Sequence, residues 1–116
     1  MSHRVIQFQA KVSNKSKTDQ LKQEIENRLD SKNYNLFERS VVDGEDMDEN
    51  PTLSVTTEHN VTEGANQFSA WLKQLAEDNK EDGFIWLRHK VHDCWHNVEG
   101  QQEPCEVQDY KDFDLR

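Results

Sequence analysis

Within residues 89–105 the chain gathers His92, Cys94, His96 and Cys105, four side chains able to hold a metal through imidazole nitrogen or thiolate sulfur. If residues 84–97 are extended, side chains two apart point the same way, so His92, Cys94 and His96 share a face. A hairpin turning at residues 99–102 sets Cys105 opposite His96 or Cys94 and completes a ligand set suited to zinc. The pattern lacks the paired Cys-x-x-Cys spacing of zinc knuckles. The same alternation also describes a solvated sheet face, so both readings stand. The hairpin register also admits a Cys94–Cys105 disulfide, which a reducing compartment opposes.

His89 falls on the opposite side of that strand, where a hydrogen-bonded structural histidine is commoner than an acid–base catalyst. Cys94 follows Asp93, a neighbour that gives no electrostatic help toward thiolate. The sequence contains no nucleophile elbow, phosphate-binding glycine loop, dinucleotide fingerprint or zinc-protease helix. An enzyme built on His89 or Cys94 is a third reading, without a substrate class. Residues 43–49 are rich in carboxylates but lack the spacing and terminal ligand of a calcium loop.

The elements that must position these groups follow from patterning. Ile6, Phe8, Ala10 and Val12 alternate with Gln7, Gln9 and Lys11, the mark of an opening strand. Ser16 and Asp19 have capping-box spacing, and Leu21, Ile25 and Leu29 form the apolar stripe of a helix ending near Asp30, with Glu24 and Arg28 paired outside. Residues 33–42 favour a strand whose uneven alternation points to a bulge. Residues 43–51 form a mobile acidic loop, and Leu53, Val55 and Thr57 mark the next strand, paired with the preceding one. Thr62 is placed to cap a second helix through Ala65, Phe68, Leu72, Leu75 and Ala76, widened by Trp71 and weakened in its first turn by Gly64. Residues 84–97 return as a long strand.

This order predicts an α+β ferredoxin-like βαββαβ sandwich, an antiparallel sheet with two helices on one face and an added C-terminal edge strand. All 116 residues fit one domain, with a charged tail over 110–116 inclined to fray. The mean hydropathy of -1.07 is low for a globular chain. The three Trp, five Phe and two Tyr nonetheless supply core area. The N-terminus lacks a signal-peptide core, no apolar run reaches bilayer length, and two cysteines are too few for a secreted scaffold. A cytoplasmic protein is the expectation.

The 23 acidic residues against 14 basic ones give a net charge of -9, which disfavours direct binding to nucleic-acid phosphates. A positively charged protein is the natural complement, including one whose basic groove processes nucleic acid. Asp43, Glu45, Asp46, Asp48 and Glu49 are the candidate contacts, with Trp86, Tyr110 and Phe113 as aromatic anchors. The surplus charge also serves solubility with no partner at all. An exposed sheet face would permit a homo-oligomer.

Asp82-Gly83-Phe84, followed by Trp86, leads from the second helix into a strand. Across residues 21–87 this pattern resembles the regulator of ribonuclease activity B family of acidic ferredoxin-like proteins. The resemblance implies inhibition of a ribonuclease through protein binding; the His/Cys hairpin departs from it. The leading expectation is therefore a non-catalytic binding or regulatory module, with zinc binding as the alternative.

Overall fold

A computed structural model describes residues 2–95 of the chain. Ser2–Lys11 forms β1, Lys15–Ser31 α1, Leu36–Glu45 β2, Pro51–His59 β3, Thr62–Asn79 α2 and Ile85–Trp95 β4. The described residues are α+β: one antiparallel four-stranded sheet, ordered β2-β3-β1-β4, with two α-helices. No helix among the described residues is long and apolar enough to cross a membrane.

Register explains which side chains meet. In β1, Ile6, Phe8 and Ala10 stand opposite Thr57, Val55 and Leu53 of β3, all nearly solvent-free. Leu21, Ile25 and Leu29 of α1 and Ala65, Phe68, Leu72, Leu75 and Ala76 of α2 close over that face in one continuous core. Burying a side chain such as Phe68 or Leu72 contributes about 1.5–3 kcal/mol, so this layer is the main source of stability. The opposite face of the sheet carries Gln7, Thr56, Glu58 and His92.

Several elements depart from the sequence expectation. The cap of α1 is Asn14, whose Oδ1 accepts the Lys17 N–H at 2.8 Å, while Ser16 lies inside the first turn. Helix α2 is capped by Val61 without a side-chain bond, and Thr62 is its first helical residue. Arg28 does not reach back to Glu24; its Nε donates to the Tyr34 hydroxyl at 2.8 Å and its guanidinium lies over Trp71.

β2 starts at Leu36 because Tyr34 and Asn35 occupy the left-handed region, with φ of 54° and 56°. The expected bulge in this strand is present, between Leu36 and Glu38. The acidic loop is shorter than expected: Asp43, Gly44 and Glu45 belong to β2, and β3 begins at Pro51. Strand β4 carries a second irregularity, since Gln9 faces Arg88 while Ala10 faces Trp86, leaving Leu87 without an opposite residue. Gly83, at φ 80°, supplies the left-handed residue that ends the helical segment before β4. The expected C-terminal edge strand, its turn at 99–102 and the tail at 110–116 lie outside the described residues.

Candidate functional site

The acidic hairpin between β2 and β3 is organised by its own carboxylates. Asp46 Oδ1 accepts backbone N–H bonds from Asp48 at 2.9 Å and Asn50 at 2.8 Å, and the Asn50 amide reaches both Asp46 oxygens. Glu49 N–H donates to the Asp46 carbonyl at 3.0 Å, and Glu49 itself is left-handed at φ 64°. Aspartate suits such a turn because its short side chain can satisfy backbone donors two or more residues on. Those bonds, led by the one from the Asn50 backbone, hold the Asp46 carboxyl below its ordinary range.

Asp43 is engaged too. Its two oxygens lie 3.3 Å from Lys15 Nζ and Lys22 Nζ, and the Lys15 bond is the leading reason its carboxyl is held low. The five carboxylates proposed as contacts therefore divide by role. Asp43 and Asp46 build the hairpin, whereas Glu45, Asp48 and Glu49 project into solvent around a fully exposed Met47. Sequence reasoning missed Met47 as an apolar tip, although its place amid Asp46, Asp48 and Glu49 was a visible signal.

The His/Cys cluster is only partly within view. His92 is half-buried on the sheet face away from the helices, and its Nε2 donates to Gln7 Oε1 at 2.9 Å. Burial first, and Lys90 second, lower its pKa, so the ring is neutral near pH 7, the form in which imidazole binds metal. Cys94 lies in β4 with its backbone opposite His3. His3 is buried, edge-on to Phe37 at 5.2 Å, with Nε2 at 3.5 Å from Glu58 Oε1. Among the described residues no three metal-ligating side chains converge. The Cys94 side chain and all of His96 and Cys105 lie outside that description. Tyr110, Phe113 and the Trp86 side chain do as well.

His89 points toward the helices and is 1% exposed, edge-on to Phe8 with ring centroids 6.3 Å apart. Burial, with Lys73 as the second cause, pushes its pKa down to about 4. A neutral ring buried behind Phe8 suits packing better than proton exchange with a substrate in solution.

Another histidine has a clearer structural task. His59 is solvent-free; its Nδ1 donates to the Tyr34 carbonyl at 2.8 Å and its Nε2 accepts from the Thr57 hydroxyl at 2.7 Å. Its place in phase with Leu53, Val55 and Thr57 was the available signal for burial. No protein-family model matches the chain, and no curated protein matches it.

Proposed function

We propose that the chain is a small non-catalytic module of ferredoxin-like architecture that binds a basic surface on another protein. Occupying a nucleic-acid-binding surface of that partner would make it an inhibitor or regulator. The sheet order β2-β3-β1-β4 and the packing of both helices into one core support the architectural reading. The observation that carries the functional one is the hairpin: Asp46 holds the turn while Glu45, Asp48 and Glu49 stand exposed around Met47. A preorganised set of carboxylates speeds encounter with a basic surface and selects against acidic ones. We place this work in the cytoplasm, where Cys94 and Cys105 would remain thiols.

The test is retention of a basic partner by the immobilised protein. Neutralising Glu45, Asp48 and Glu49 together should weaken capture roughly tenfold and flatten its dependence on salt, since each exposed charge contributes up to about 1 kcal/mol. Asp46 is left intact because its loss would disturb the turn itself. Retention equal to wild type would remove the hairpin from the interface.

A second reading, a zinc-binding protein using His92, Cys94, His96 and Cys105, draws support from β4, an extended strand that gives residues 92 and 94 the two-residue spacing of one sheet face. It expects stoichiometric zinc in untagged protein by elemental analysis, lost in Cys94→Ser with Cys105→Ser. Natively folded, metal-free protein would exclude it.

A further inference from the structure

We infer that the outer edge of β2 is a docking rail on which an extended, basic segment of another protein adds as a fifth strand. This rests on the binding function proposed above and specifies its geometry. The hydrogen-bond phase of the hairpin sets which backbone groups are offered. Asp46 N–H donates to the Asn50 carbonyl at 3.0 Å, so 46 and 50 form a bonded pair. On the other side of β3, the Pro51 carbonyl accepts from Val12 N–H at 2.9 Å, so residue 51 serves β1. Alternation along the register then turns the backbone N–H and C=O groups of Arg39, Val41, Asp43 and Glu45 away from β3, the Asp43 N–H bonding its own carboxylate. Among the described residues β2 pairs with β3 alone, so these groups face outward from the sheet.

Side chains along the same rail choose the occupant. Glu38 and Glu45 are exposed, and the strand's one cation, Arg39, is already paired with Asp30 at 2.7 Å. Phe37 and Val42 are 45% and 54% exposed, and the acidic tip carries the fully exposed Met47. Main-chain bonds would supply affinity, lysine or arginine near Glu38 and Glu45 charge complementarity, and an apolar side chain beside Val42 a contact on the sheet face. Charges and a bulge at an edge strand discourage indiscriminate pairing. Here they also disfavour a second copy of this chain, which would bring carboxylates of one β2 against those of the other, while a basic strand meets the opposite charge.

The experiment uses the full chain, isotope-labelled, and an end-capped nine-residue peptide alternating lysine and valine. Two control peptides of the same sequence are N-methylated on alternate amides, one at the lysines and one at the valines, so charge is kept while one hydrogen-bonding edge is removed. The expected result is selective perturbation and exchange protection of the Arg39, Val41 and Glu45 amides. One methylated peptide should bind about tenfold or more weakly, equivalent to roughly 1.4 kcal/mol. Equal binding of all three peptides, with amide changes confined to the hairpin tip, would overturn strand addition and leave the acidic-surface reading standing. If none binds in a salt-dependent way, both fail. A dimer formed through β2 without peptide would also overturn the proposal.

Discussion

At the scale of single residues, the polar groups with the firmest roles are those that close backbone accounts inside the fold. His59 spans two segments by donating to the Tyr34 carbonyl and accepting from Thr57, while its ring packs 5.8 Å from Phe68. Replacing His59 with Leu leaves the Tyr34 carbonyl and the Thr57 hydroxyl buried without that partner, which should cost about 1–3 kcal/mol. Urea denaturation would measure it, and a midpoint equal to wild type would show that the imidazole bonds add nothing net. Arg4 is similarly committed, its guanidinium binding Asp93 across β1 and β4 at 2.7 and 3.0 Å and reaching Asn66 of α2 at 2.9 Å. Such residues were visible in the sequence as polar breaks in apolar strands. Their partners were not, because Tyr34 and His59, or Arg4 and Asp93, lie 25 and 89 residues apart in sequence and meet only in the tertiary fold.

At the scale of elements, the junction between β2 and α2 shows why local propensity misleads. Gly64 sits in the first turn of α2, where an alanine would ordinarily favour the helix by up to about 1 kcal/mol. In the fold, a Cβ at Gly64 would come within 2.2 Å of the Tyr34 carbonyl oxygen and 2.5 Å of Asn35 Oδ1. Gly64→Ala should therefore destabilise the protein, by roughly 1–3 kcal/mol, because one contact is to backbone that His59 holds in place. A raised melting temperature for this variant would show that the close approach is not a constraint. The acidic segment teaches the same lesson in reverse. Its charge density predicts an unstructured loop, yet Lys15 and Lys22 neutralise Asp43, and Asp46 satisfies the turn's backbone donors. The strands consequently take residues 43–45 and 51 from the expected loop.

At the scale of the whole molecule, pH ties these pieces together. His89 is pushed down to about 4 by burial and then Lys73, and burial also lowers His59 against the opposing effect of its Tyr34 bond. Unfolding returns both rings to the ordinary value near 6.5, so the unfolded chain binds more protons over that interval. Stability should hold above about pH 7 and fall as the pH drops from about 6.5 toward 4. At about 1.4 kcal/mol per pH unit, the contribution of His89 is on the order of 3 kcal/mol and levels off below its folded value. Asp43, Asp46 and Asp93, all held low by their hydrogen bonds, extend the loss below the ordinary carboxylate value of 3.8. Denaturation midpoints across this range would check it; a flat profile, or one unchanged by His89→Gln, would contradict the role given to that ring. What the chain alone determined was local: alternation in β1 and β3, four-residue spacing in α1 and three- and four-residue spacing in α2, and hence an α+β class, because these periods are set by neighbours along the backbone. Pairing was decided by tertiary structure. Which carboxylates turn inward to lysine or to backbone, which histidine meets a carbonyl, and which strands pair among the described residues depend on residues brought together by register, and no one segment encodes them.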